Sequence, residues 1–300
     1  MIQQKELNFV KLRSAMIVVT IFALWFSVFS NDEVEGFVSY FFIFTFGILH
    51  GSNDIRLIQV SAERSKGKVH KMKVFGLYVM TVLLILLIFS FFPALALIFF
   101  LLISGFHFGE QHWNKNLIKK TKWDVLLFTF YGLFILFIIF YVKHEQASLI
   151  IQDISGLALE KNSYLIATVV IGILFLLQLG LYFYFNLLKA NIWEELFFLL
   201  VFFIIFQTAS LLWGFCIYFV VWHSIPSLVD QMNYLYGTSN KLTFIKYLKS
   251  SWMYWVISLV GLFGLYFLLR DNNQFFTSIL LYFLAAITFP HVIVMSRLEK

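Results

Sequence analysis

About ten long apolar segments, separated by short polar turns, run through this chain. They cover 13–30, 36–56, 72–91, 93–114, 122–142, 163–186, 193–208, 210–233, 250–269 and 275–296. With modest extension, each can cross a hydrocarbon core that needs roughly 20 helical residues. Unpaired peptide groups cannot be left in lipid, so spans of this length must be helices. The expectation is an all-α, polytopic integral membrane helical bundle of about ten transmembrane helices. Residues 1–300 form one transmembrane domain on this reading, because the longest loops, 143–162 and 234–249, are too short to carry a soluble one. Only Gln207 to Ser210 divides the seventh segment from the eighth. Composition agrees: 61% of residues are hydrophobic and 13% charged, against about 25% charged in soluble proteins. The first segment follows Lys5, Lys11 and Arg13 as a signal peptide would, but no small-x-small cleavage pattern follows it. It is read as an uncleaved span.

The net charge of +6 does not indicate nucleic-acid binding, since the basic residues lie in the turns between spans. With a cytoplasmic N-terminus and ten spans, every lysine and arginine except Lys143, Lys161 and Arg270 falls on the cytoplasmic side. That asymmetry supports the span count and N- and C-termini that are both cytoplasmic. The sole cysteine, Cys216, lies inside an apolar run and excludes an internal disulfide. Phenylalanine supplies 39 residues. A cavity among such helices would suit a long, apolar, conjugated molecule, though the same rings also pack well against lipid.

Four histidines share one depth. His50 precedes Arg56 by six residues, His107 precedes Lys115 by eight, His291 precedes Arg297 by six, and His223 precedes Asp230 by seven. At 1.5 Å per residue each imidazole lies roughly 9 to 12 Å inside the cytoplasmic boundary. The four sit on spans 2, 4, 8 and 10, which all run the same way. A lone membrane histidine is usually an interhelical hydrogen-bonder. Four at matched depth are costly to bury unless something pairs with them, and a shared metal ion does so.

The surrounding residues fit convergence. Gly47 and Gly51 bracket His50, and Gly105 and Gly109 bracket His107, which would let backbones approach there. Pro226 and Pro290 lie within three residues of His223 and His291, where a bend could aim a ligand. Asp54, Glu110 and Asp230 follow their histidines at spacings that bring them near the same helix face. They are either partners for the second imidazole nitrogen or acids facing water at a helix end. His112 is five residues past His107, roughly 140° around the helix, and joins the site only if the helix loosens. Glu194 and Glu195 open span 7, where acids suit a helix N-terminus, and are assigned no chemistry. Phe46, Phe106, Phe108, Trp113, Trp222 and Phe289 flank the histidines and either line a substrate tunnel or pack the core.

The stretches "GILHGSND", "HFGEQH", "WHSIPS" and "FPHVIVM" resemble the four histidine motifs of the Brp/Blh family of bacterial membrane-integral β-carotene 15,15′-dioxygenases. Order and spacing match from about residue 40 to the end. The resemblance implies ferrous iron, Fe(2+), held by His50, His107, His223 and His291, with Asp54 as the acid after the first motif. It implies cleavage of β-carotene or a similar apolar polyene by O2 at the central double bond. The product would be retinal, a functional link to a retinal-binding rhodopsin. Three positions depart from the pattern: Leu49 stands where proline is usual, His112 where the second motif ends in aspartate, and Ser227 where the third carries another histidine. Either His112 takes over a role in the site, or the substrate or reaction is altered.

Rival readings stay open on the residues alone. A membrane non-haem metalloenzyme with a different lipid or carotenoid oxidation is one, although the HxxxH and HxxHH clusters of desaturases are absent. A haem-binding electron-transfer protein is another. A transporter would show charged or polar groups at midplane, where only neutral ones such as Gln178 approach.

Overall fold

The computed structural model describes residues 2–65, 70–269 and 276–298. Lys66, Lys68, Arg270 and Lys300, used above to orient the chain, lie outside them. Among the described residues the chain is helical, with a single isolated bridge, Leu117 to Leu188, joining two turns. Helix α1 is Ile2–Phe29. The second span is broken into α2 (Asp32–Phe42), a π-helical segment Ile43–Gly47, α3 (Ile48–Gly51) and α4 (Asp54–Arg64). Then come α5 (Lys71–Phe91), α6 (Pro93–Trp113), α7 (Asp124–Val142), α8 (His144–Ser155), α9 (Lys161–Tyr184) and α10 (Ile192–Thr208). The eighth span joins α11 (Leu211–Cys216), a second π-helical segment Ile217–Ser224, and α12 (Ile225–Tyr236). The last two are α13 (Lys241–Leu269) and α14 (Phe276–Leu298).

Nine of these stretches are long and apolar enough to cross a membrane among the described residues. The tenth expected span is α10, whose 17 residues stand at the short end of the range of about 17 to 25 that spans require. Its separation from α11 is sharp. Ser210 accepts from Trp213 N, the Ser210 backbone N–H donates to Glu35 Oε2 at 2.6 Å, and Leu211 N–H donates to Gln146 Oε1 at 2.7 Å. Those bonds satisfy amide groups that a helix start leaves free. Two expected loops hold helix instead. Helix α8 fills most of 143–162 with Ala147, Ile151 and Ile154 buried on one face, and α13 begins nine residues before the expected position.

Burial ranks the spans. Leu211–Tyr236 and Phe276–Arg297 are each 72% buried within the protein, whereas Lys241–Leu269 is 6% buried and lies at the periphery. The two central spans carry His223 and His291. Helices α6 and α7 are locked by glycine: a Cβ on Gly109 would stand 1.9 Å from the Phe128 carbonyl oxygen, and one on Gly132 would stand 2.0 Å from that of Gly105. Gly105 and Gly109 therefore serve the contact with α7 and not an approach of the histidine helices to one another. Pro93 opens α6, and Pro290 sits inside α14.

Candidate metal centre

The four histidines converge. Ring centres stand 5.3 Å apart for His50 and His223, 4.7 Å for His223 and His107, 5.1 Å for His107 and His291, and 4.9 Å for His291 and His50. These contacts trace a closed loop, and the rings are 2–5% exposed. The matched depths read from the sequence are thus matched positions in space.

Local helix geometry aims two of the rings. The wide turn of Ile43–Gly47 ends where the Gly47 carbonyl meets His50 Nδ1 at 2.5 Å. His223 lies inside the π-helical segment Ile217–Ser224, and there Ser224 Oγ donates to the carbonyl of Phe219, five residues back, at 2.8 Å. Such segments recur at functional sites because the extra residue turns side chains off the regular α spacing. Phe219 stacks on His223 at 5.8 Å and meets His50 edge-on at 5.7 Å, fixing both rings.

Hydrogen bonds select tautomers. A carbonyl can only accept, so His50 donates from Nδ1 to Gly47 and keeps the Nε2 lone pair free. His291 donates from Nδ1 to Asp54, with Oδ1 at 2.9 Å and Oδ2 at 3.1 Å, which leaves the lone pair of its Nε2 likewise free. Asp54 therefore supports the imidazole of α14 and not that of His50, its sequence neighbour. The chain leaves helix at Ser52 and Asn53 and restarts at Asp54, so the ideal four-residue register does not hold. Tyr78 of α5 donates to Asp54 Oδ2 at 2.9 Å. On the far side, the buried Tyr247 hydroxyl donates to Gln231 Oε1 at 2.7 Å and lies 3.1 Å from the His50 carbonyl. The sequence reading missed both tyrosines; a lone phenol in the apolar run of α5 was the available signal for Tyr78.

Both nitrogens of His107, Nδ1 of His223 and Nε2 of His291 are buried without a hydrogen-bond partner among the described residues. Leaving a buried polar atom unsatisfied costs about 1 to 3 kcal/mol, and four such atoms in one layer need an explanation. As they stand, no three or more His, Cys, Asp or Glu among the described residues are arranged to hold an ion. The ring spacing nevertheless suits one. At a metal–nitrogen distance of roughly 2.1 Å the ring centres of adjacent ligands lie roughly 4.5 to 5.2 Å apart. The imidazole χ2 torsion is broad, so His107, neither of whose nitrogens is bonded among the described residues, can turn one toward the other three rings.

The other expected site residues lie elsewhere. His112 stacks on Tyr131 at 4.6 Å, and its Nε2 meets Glu195 Oε2 at 2.7 Å. It points toward α7 and α10 because α6 stays regular through Trp113 and preserves the rotation away from His107. Glu195, given no chemistry above, is buried and also binds Arg13 at 2.8 Å. Asp230 accepts from Gln111 at 2.8 Å and pairs with Lys115, closing the helix ends instead of supporting an imidazole. Glu110 is half-buried and does not line the cavity described next.

A cavity of about 420 Å³ ends on the four histidines. Helices α5 and α13 flank it, and Leu83, Ile257 and Leu268 line it while also being exposed on the outside, so it opens sideways toward lipid. Phe75 and Tyr254 meet at 5.9 Å across one end, beneath Lys71. From Phe75 to Leu86 the lining of α5 covers roughly 16 Å. Of the six aromatic residues expected to line a tunnel, Phe108 borders this space. Phe46 stacks on Phe42, Phe106 meets Phe128, and Trp113 packs against Tyr131. Trp222 donates to Thr20, and Phe289 joins the core. A residue next to a histidine points about 100° away around a helix. The lining comes mostly from α5, α13 and residues three to eight positions from the histidines.

Three substitutions separate these roles. Asp54→Asn and Tyr78→Phe are each expected to weaken metal binding about 10- to 100-fold, the usual effect of losing a ligand's supporting partner, as read by metal titration. His112→Gln should leave bound metal unchanged and lower the unfolding temperature, because it removes the imidazole that hydrogen-bonds buried Glu195. Loss of metal with His112→Gln would return that residue to the site.

Searches of curated proteins and of solved structures each returned no match. The profile of the family described as beta-carotene 15,15'-dioxygenase matches residues 41–299, a stretch that includes all four histidines, Asp54 and Tyr78. By that match over most of its length, the chain belongs to the beta-carotene 15,15'-dioxygenase family.

Proposed function

We propose that the protein cleaves β-carotene, or a closely similar apolar polyene, with O2 at the central double bond to give retinal, using ferrous iron held by His50, His107, His223 and His291. The observation that carries this reading is the apolar cavity that terminates on four buried imidazoles, three of which have nitrogens without a hydrogen-bond partner among the described residues. Four neutral nitrogen donors leave a bound ferrous ion positively charged with positions open for O2, which is the chemistry the metal would supply.

The protein's own residues do the rest. The sideways opening between α5 and α13 admits the polyene from the bilayer, so an insoluble substrate never has to cross water. The aliphatic walls hold it extended with one region against the histidine layer, and that fixes which bond reacts. Burial excludes water from the reacting centre. Asp54, Tyr78 and the Gly47 carbonyl hold His291 and His50 in the tautomers that present Nε2 inward. No acid-base pair is required, because an uncharged polyene has no leaving group to protonate. A haem needs two imidazoles on opposite faces of a wide flat ring, whereas each of these four rings has two others within 5.3 Å. The setting would be a bacterial inner membrane with both termini cytoplasmic, and retinal would pass to a rhodopsin-type protein.

Expression in β-carotene-accumulating bacteria tests the reading. Loss of colour with retinal recovered by chromatography supports it. Longer apocarotenals would move the cleavage position off centre, and retained β-carotene with iron-free protein would sink the reading.

A further inference from the structure

A second cavity, of about 90 Å³, lies beside the first. Phe100 and Ser104 of α6, Leu136 of α7, Ile151 of α8, Leu212 of α11 and Leu281 of α14 are among its walls. Two residues, Phe108 and Leu284, line both cavities. Phe108 follows His107 and places its ring 4.7 Å from that of His223. The partition between the chambers there is a single layer of side chains, Phe108 and Leu284, and Phe108 stands against the histidine layer.

The chemistry of this chamber is restrictive. Its walls are aliphatic and aromatic apart from Ser104 and Thr277. The Thr277 hydroxyl is bonded to Tyr40 at 2.8 Å, and Ser104 Oγ is buried without a partner among the described residues. A buried water needs two to four polar partners, whereas apolar cavities stay dry and take up xenon or small hydrocarbons. One unpaired hydroxyl does not hold water there. The volume is less than a quarter of the main cavity's, too little for a polyene. It suits a diatomic gas, which dissolves better in hydrocarbon than in water. The end remote from the histidines is bordered by Ala147 and Ile150 of α8, a helix whose opposite face is exposed.

We infer that this chamber is a binding site for a small apolar gas and admits it to the histidine layer past Phe108 and Leu284. That the gas is O2 rests on the proposed function. When substrate fills the main cavity, O2 can then reach the imidazoles from the other side, and rotation of the Phe108 ring opens the way.

Xenon is the probe. Full-length purified protein equilibrated with xenon should give a saturable xenon-129 shift. Ala147→Phe and Leu97→Phe fill the chamber from α8 and α6 independently, so that one informs if the other misfolds. Each should abolish the saturable shift and raise the KM for O2 roughly fivefold, with the carotenoid KM unchanged, as for a change that touches one substrate only. Absence of a saturable shift in the unaltered protein overturns the inference. So does an unchanged KM for O2 in a filled variant that has lost xenon, and so does a rise in the carotenoid KM alone. Saturable xenon, lost on filling, in protein that cleaves no carotenoid would retain the gas site and remove the proposed reaction.

Discussion

On the proposed function, His107→Ala is expected to strip the protein of iron and to lower carotenoid cleavage by more than about 100-fold, beyond the 10- to 100-fold typical of a lost supporting partner. Both nitrogens of this imidazole are buried and lack any hydrogen-bond partner among the described residues. A histidine held for structural reasons would show the opposite pattern, with partners on both sides and a loss of stability on truncation. Here truncation removes two unsatisfied polar atoms from a low-dielectric layer, and that relief offsets the lost packing. The iron-free variant should therefore melt within a few degrees of iron-free unaltered protein, a small shift for a fully buried side chain. Metal content by elemental analysis, retinal by chromatography and the melting point together decide the matter. Unchanged iron, or a variant that unfolds while iron-free unaltered protein does not, would show that His107 packs rather than ligates.

The contrast with His112 explains what could be read from the residues. Depth in a membrane is legible in sequence, because charges mark the boundary and 1.5 Å per residue does the rest. Hence His50, His107, His223 and His291 could be placed in one layer, and α6 was regular enough for His112 to be recognised as rotated away. Direction was less legible wherever the helix departs from α geometry. The spacing puts Asp54 near the face of the histidine four residues before it, yet the break at Ser52 and Asn53 turns it to His291 of α14. The two π-helical segments carry no pattern that distinguishes them from α-helix before the chain is folded. The choice between tunnel and core for the aromatics beside the histidines is not legible for a related reason: neighbours in sequence point about 100° apart around a helix, and of the six only Phe108 borders the cavity. Tyr78, Tyr247 and Glu195 come from helices without a site motif, and partners supplied by other spans have no local signature.

The largest loss of stability is expected from a single methyl group, in Gly109→Ala. Lipid is as apolar as leucine, so membrane helices gain little from hydrophobic burial and depend on close packing. The α6 and α7 backbones are packed so closely that the new Cβ would meet the Phe128 carbonyl oxygen at 1.9 Å and its carbonyl carbon at 2.5 Å. No rotamer relieves a contact with backbone; the helices must part by more than about 1 Å to reach ordinary C···O separations of 3.3 to 3.6 Å. Parting them loosens Gly105 from Leu133, Phe106 from Phe128 and His112 from Tyr131 together. The expected cost is about 3 kcal/mol or more, the upper range for overpacking. Because His107 lies between Gly105 and Gly109, iron content should fall with it. Gly76→Ala and Gly180→Ala supply the control, since a Cβ at either meets nothing within 4 Å. In those helices alanine should instead stabilise by up to about 1 kcal/mol. Thermal unfolding in detergent of the three variants distinguishes the cases, and a Gly109→Ala protein as stable as Gly76→Ala would mean that α6 and α7 do not touch through their backbones.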